Sequence, residues 1–182
     1  MVAPLGATWT FRITAPDGTS HTATDTIIQV FSTGDHERWD DPTASSYDVA
    51  TYDTAGGGGT MTEDVGYSKA DNSLLYSFSY SPGTPILPAD LTPGTTASVT
   101  SAVTNRLTST VTLQTTSVTV NGPDHVTVPA GTFEALKCTR LQDSSYYAVR
   151  WSAPGIGLVK MLTYPAIDPS QLTTTELVSY QP

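Results

Sequence analysis

A chain of 182 residues with a formal net charge of −9, from 17 acidic and 8 basic side chains, is long enough for one domain with a core of its own. That charge speaks against nonspecific nucleic-acid binding, which needs clustered Lys and Arg on phosphates, and against docking on an anionic membrane surface; its plain reading is solubility. A single cysteine excludes an intrachain disulfide, and no stretch reaches the roughly 18 apolar residues of a membrane span.

Helix signals are nearly absent. Thr, Val and Tyr dominate, all good strand formers, and 13 prolines and 14 glycines punctuate them. The opening Met1-Val2-Ala3-Pro4-Leu5-Gly6 is too short for a signal peptide. Trp9, Phe11 and Ile13 then alternate with Thr10, Arg12 and Thr14. Pro16-Asp17-Gly18-Thr19 is a turn that folds His21 to Phe31 back as a hairpin, with His21 a solvated residue beside the turn. Ser32 to Ser46 reads as irregular. Its Asp35, His36, Glu37 and Asp41 are residue types that hold calcium or zinc. They meet no standard loop spacing, however, and a polar hairpin loop is the plainer reading. Trp39 in this run reads as a lid over the end of a barrel or as a contact residue.

Tyr47, Val49 and Thr51 alternate with Asp48, Ala50 and Tyr52. Gly56 to Gly59 lack the Lys-Ser/Thr and the helix of a phosphate cradle, so they read as a hairpin tip. Met61 to Ser68 is the return strand. Its Glu63 and Asp64 are adjacent, hence on opposite faces and a poor acid/base pair. Leu74, Tyr76, Phe78 and Tyr80 share one face and form the richest aromatic stripe, readable as core or as a ligand-facing wall. Ser81 to Gly94, with Pro82, Pro85, Pro88 and Pro93, is not expected to pair as a central strand; it would cross an open end of the sheet. Thr95 to Thr104 and Leu107 to Val120 are strands around Asn105-Arg106, and Asn121-Gly122-Pro123-Asp124 is a turn.

The stretch from Val126 to Lys160 organises the rest. Val126 and Val128 lead into the corner Pro129-Ala130-Gly131. Leu136 and Cys138 share a face, where Cys138 reads as an inert buried thiol. Tyr147, Val149 and Trp151 share a face, opposite Tyr146, Ala148 and Arg150. Ala153-Pro154-Gly155 is a second corner, and Gly157 reads as a point of close approach. Thr173 to Tyr180 closes the sheet. There is no repeat at solenoid periods and no linker that splits the chain.

Three runs carry a resemblance: Val-Pro-Ala-Gly-Thr-Phe-Glu-Ala from Val128, Trp-Ser-Ala-Pro-Gly-Ile-Gly-Leu-Val-Lys from Trp151, and Glu-Leu-Val-Ser-Tyr ending at Tyr180. Trp9-Thr10-Phe11 and Leu91-Thr92-Pro93-Gly94-Thr95 fit as well. Together they resemble poorly characterised bacterial extracytoplasmic proteins that are similar to the LolA/LolB-like lipoprotein carriers. The resemblance implies an open, strongly curved antiparallel sheet. It also implies a secreted or periplasmic protein whose signal has been removed ahead of Met1; cytoplasmic location is the alternative.

Enzyme signatures are missing: no Gly-x-Ser-x-Gly elbow, His-Glu-x-x-His, Walker loop or Gly-x-Gly-x-x-Gly. His125 beside Asp124 has the makings of a triad base, yet a histidine at the edge of a turn is the simpler account. The expected fold is all-β, one domain over residues 1–182, a single curved antiparallel sheet forming a barrel or half-barrel of about nine to eleven strands with little helix. The expected function is non-catalytic binding of an apolar or lipid-like ligand on a concave aromatic surface of Trp9, Phe11, Tyr76, Phe78, Tyr147 and Trp151. No cofactor and no metal are called for, and oligomeric state leaves no mark in the sequence. The alternatives are a structural or interaction domain with a filled core, and a small barrel enzyme of cyclase or isomerase type.

Overall fold

A computed structural model describes residues 3–182. They form twelve strands: β1 (Thr8–Thr14), β2 (Ser20–Phe31), β3 (Gly34–Asp40), β4 (Ser46–Asp53), β5 (Gly59–Ser68), β6 (Leu74–Leu87), β7 (Thr96–Asn105), β8 (Thr110–Val128), β9 (Gly131–Gln142), β10 (Tyr146–Ala153), β11 (Gly157–Pro165) and β12 (Thr173–Gln181). Each pairs antiparallel with the next, and β12 pairs with β1, so the sheet closes on itself as a barrel. Closure removes both sheet edges, which would otherwise present unpaired backbone groups. No helix long and apolar enough to cross a membrane occurs among the described residues.

The all-β antiparallel barrel agrees with the sequence, while the strand count exceeds nine to eleven. The surplus is β3, in the run that reads as an irregular loop. Its Glu37 pairs with both Ile27 and Ala50, and its Trp39 with Asp25 and Asp48. Charged residues look loop-like in sequence, but a strand whose inner face borders a hollow interior can carry them. Two further segments differ from expectation. β6 continues through Leu87 and pairs with β5 at Thr84, Pro85 and Leu87, whereas its pairing with β7 stops at Ser81. The proline-rich half therefore lacks a β7 partner, so a proline there can leave that side undonated. Asn121–Asp124 is no turn either. β8 runs straight through it, with a bulge between Val120 and Gly122, and Gly122 takes φ +117°.

The corners after Val128 and after Ala153 are turns, as the sequence indicates. Gly131 and Gly157 have positive φ of 133° and 92°. A Cβ at Gly157 would meet nothing within 4 Å, so backbone conformation, not close approach, is what calls for glycine there.

The main apolar cluster sits at the end of the barrel where odd strands begin and even strands finish. Trp9, Phe11, Ile27, Val126, Val128, Val159 and Leu177 pack together there. The tip of the β8–β9 hairpin reaches across to this cluster, and the Ala130 amide donates to the Leu177 carbonyl at 3.0 Å. Trp9 Nε1 donates to the Ile156 carbonyl at 2.7 Å, tying the β10–β11 corner to the same end. Each such large side chain contributes about 1.5–3 kcal/mol when fully buried. A smaller cluster joins Val118, Val120 and Cys138, where burial pushes the Cys138 thiol up and disfavours the reactive thiolate.

Candidate functional site: an acidic recess in the barrel lumen

Alternation along β2 to β5 turns a polar set towards the lumen. Two rows run across the strands: Asp25, Trp39, Asp48 and Gly66 form one, and Ile27, Glu37, Ala50 and Asp64 the other. Of these, Asp25, Trp39, Asp48, Glu37, Ala50 and Asp64 line a recess of about 220 Å³ together with Tyr52 and Met61. Four carboxyls thus share a small space with Trp39, Tyr52 and Met61. Across the lumen stand Arg140 on β9 and Arg150 on β10. Arg140 is the cross-strand partner of Ala148, and Arg150 that of Cys138.

Enclosure dominates the electrostatics. Burial pushes the Asp25 carboxyl up, and although a hydrogen bond with Glu37 works the other way, the charge of Asp35 adds to the rise. Burial pushes Glu37 well above its ordinary value, and repulsion from Asp25 and Asp35 reinforces it. Asp64 is pushed up to about 6 by burial and by the neighbouring charge of Asp48. Tyr52 is driven up by burial and by Glu37 and Asp25, so its phenol stays protonated. Two carboxyls so close do not both ionise readily, and the neighbouring Asp25 helps hold the Glu37 carboxyl towards its protonated form. Even so, Asp25 Oδ1 and Arg140 Nε are shut away from solvent without a hydrogen-bond partner. Burial lowers the pKa of Arg140, and repulsion from Arg150 lowers it further.

Tyr76 enters the recess by an unusual route. A Cβ at Gly66 would lie 2.2 Å from the Tyr76 ring, so the ring rests on bare backbone. Gly66 stands between Asp48 on β4 and Tyr76 on β6 in one row. The Tyr76 hydroxyl crosses it and donates to Asp48 Oδ1 at 2.7 Å, with Asp64 Oδ1 at 3.5 Å.

Of the six aromatic residues singled out in the sequence, Trp9, Phe11 and Trp151 share the main apolar cluster, Tyr76 and Phe78 stand at the recess, and Tyr147 belongs to neither. Tyr76 joins the recess, and Phe78 stands beside it with ring centroids 5.6 Å apart. Phe11 stacks on Trp39 at 5.6 Å and backs the recess from the apolar end. Trp9 stacks on Tyr180 at 5.3 Å within the apolar end. Tyr147 and Trp151 lie on the strand face opposite Ala148 and Arg150. Tyr147 stacks on Tyr164 at 5.5 Å; Trp151 Nε1 donates to Asp124 Oδ2 at 2.9 Å, with Lys137 over its ring.

Asp25, Asp48, Tyr52, Met61 and the two arginines escaped sequence reasoning, while Glu37 and Asp64 enter it only as a metal-type residue and as half of a poor acid/base pair. Their only signal was parity: Asp48 and Tyr52 share a face with Ala50, as Asp25 does with Ala23 and Ile27. The metal-type residues of the Asp35–Asp41 run alternate along β3 and then diverge. His36 packs edge-on against Phe31, and Asp41 accepts from His21 at 2.8 Å. Among the described residues no group of three His, Cys, Asp or Glu is arranged to hold a metal ion. His125 lies 3.8 Å from Glu134, both largely exposed.

No protein-family model matches the chain, and no curated protein does. Two solved structures share its fold. One is a putative lipoprotein from Parabacteroides distasonis, 13% identical, with a TM-score of 0.52 over 98% of this chain and 96% of that one. The other is a putative exported protein with a YmcC-like fold from Bacteroides fragilis, 15% identical, with a TM-score of 0.54 over 100% of this chain and 98% of that one. The likeness extends over the whole barrel and shows the fold. Neither name speaks of LolA or LolB.

Proposed function

We propose that this protein is an exported, non-catalytic binding barrel whose lumen holds a small molecule with an apolar or lipid-like body. The observation that carries this reading is the recess itself, where Trp39, Tyr52 and Met61 border open space beside four carboxyls. Binding sites combine an apolar wall with a few polar groups that fix orientation, and the lumen has both. At about 220 Å³ the recess falls below the roughly 300–1,000 Å³ of drug-sized sites, so it takes a compact part of a ligand. Tyr76 and Phe78 extend its wall, and Phe11 holds Trp39 in place. Export is supported by the descriptions of the two structural neighbours.

Native mass spectrometry after gentle purification from the producing cell tests this. A co-purified small molecule is expected, together with a saturable change in Trp emission when a hydrophobic fluorescent probe is added. Trp39→Ala should weaken the probe while leaving the far-UV circular dichroism of the barrel intact. A bare chain with no saturable response would favour the structural-domain alternative.

A further inference from the structure

We infer that the ligand of the lumen carries a protonated amine, seated against Asp25 and Glu37 with its apolar body on Trp39 and Met61. This deepens the lumen-binding reading and rests on it.

Asp25 lines the recess, and its Oδ1 is hidden from solvent and accepts no hydrogen bond. Buried polar atoms are nearly always paired, and an exception calls for a partner the chain does not supply. An N–H donor with positive charge satisfies Oδ1 and relieves the repulsion among its neighbours.

The balance of charge agrees. Asp25, Glu37, Asp48 and Asp64 line the recess, and the charge of Asp35 reaches Asp25 and Glu37. Against these five stand two arginines, of which Arg150 attracts the Asp25–Glu37 pair. Asp48 takes the Tyr76 hydroxyl, which is a neutral donor. The lumen therefore carries unbalanced negative charge, in a chain whose net charge of −9 steers cations towards it. Trp39 adds an aromatic wall beside the carboxyls, and a cation held near an indole face gains cation–π attraction. A bare metal ion is the poorer fit, because among the described residues no three His, Cys, Asp or Glu side chains are arranged to hold one. An organic cation needs no such convergence, since its N–H groups reach out to dispersed acceptors.

The test uses benzylammonium chloride, with benzyl alcohol as its neutral counterpart, titrated into the full chain and followed by calorimetry and Trp emission. The ammonium should bind at least about tenfold more tightly than the alcohol, as expected when a buried charge pair is completed. Asp25→Asn should remove that preference, and the exposed Glu134→Gln should preserve it. Asp25→Asn should also raise the melting temperature by relieving like-charge repulsion, which verifies that the variant folds. The preference should fade as pH falls from 7.5 to 5, when the proton competes with the amine for the raised carboxyls of Asp25, Glu37, Asp35 and Asp64; Asp48, Tyr52, Arg140 and Arg150 also face this space, and Tyr52 keeps its proton throughout. Equal binding of ammonium and alcohol would overturn the inference and leave lumen binding standing. An ammonium preference that survives Asp25→Asn would overturn it too. If neither titrant binds and the chain emerges bare in native mass spectrometry, both readings fall.

Discussion

Tyr76 reaches Asp48 by lying across Gly66: the ring covers the glycine backbone, and the hydroxyl donates to the carboxylate one strand further on at 2.7 Å. The contact joins β6 to β4 over the intervening β5. It exists because one position in the row has no side chain.

Gly66→Ala should therefore displace the ring, at a cost of about 1–3 kcal/mol from overpacking. A reduced denaturant midpoint with an unchanged slope would be the sign. Tyr76→Phe keeps the ring over the glycine and removes only the hydrogen bond, so it should cost less, about 0.5–1.5 kcal/mol. Should the two variants reverse that order, steric fit would not be what Gly66 provides.

Stability should peak in mildly acidic solution. Asp64 sits at about 6 when folded, above its ordinary 3.8, so the folded state binds more protons than the unfolded chain between those values. Stability from this group is full below about 4 and is lost as pH rises towards 6; the raised Asp25 and Glu37 act in the same direction. The opposite sign holds for Asp40, which Lys69 and Arg38 hold below the usual carboxylate range. Its contribution is present above about 4 and is lost as pH falls further. Melting temperatures at successive pH values should thus rise from pH 7 to about 5 and fall below about 4. Asp64→Asn should flatten the upper limb, and an unchanged limb would show that the recess does not set it.

At Gly157 the backbone has φ +92° and open space around the missing Cβ. Gly157→Ala and Gly157→Val should each cost on the order of 1–3 kcal/mol through strain alone. Because nothing is hit, the two should differ little. A Val variant far worse than Ala in chemical denaturation would mean a clash that the open surroundings exclude.

Leu177 is almost completely buried among Phe11, the β8–β9 hairpin and Val159. Leu177→Ala should cost about 2–5 kcal/mol from lost burial and the cavity left behind. The readout is equilibrium unfolding. A loss under about 1 kcal/mol would show that the apolar end collapses around the gap instead of holding its shape.

Much of the barrel was legible in the residues. The alternation of Val126–Val128, the Pro129–Gly131 and Pro154–Gly155 corners and the aromatic stripe of β6 all mark strands and turns where they occur. Parity also shows which residues share a face. It does not show which face meets the lumen. On β10 the ring of Tyr147 looks like an interior, while Ala148 and Arg150 look like an exterior, and it is Arg150 that the lumen carboxyls feel, although Trp151 on the Tyr147 face is buried in the apolar cluster. A barrel of twelve strands is wide enough to leave its interior partly hollow, so charge on the inner face is tolerated and the usual equation of polar with outside fails. The same equation hides β3, where Asp35, Glu37 and Asp40 imitate a loop.

Closure joins the extremes of the chain: Thr8 pairs with Gln181 and Trp9 with Tyr180. These are contacts of nearly the largest sequence separation the protein can make, and such contacts slow folding. A chain delivered N-terminus first holds one edge of β1 open until residues 173–181 arrive. Assembly by consecutive hairpins builds a curved ribbon with two bare margins, each a template for another chain. Only the last strand turns that ribbon into a ring. Its arrival is the event that separates a sticky intermediate from a protein with no edge to offer.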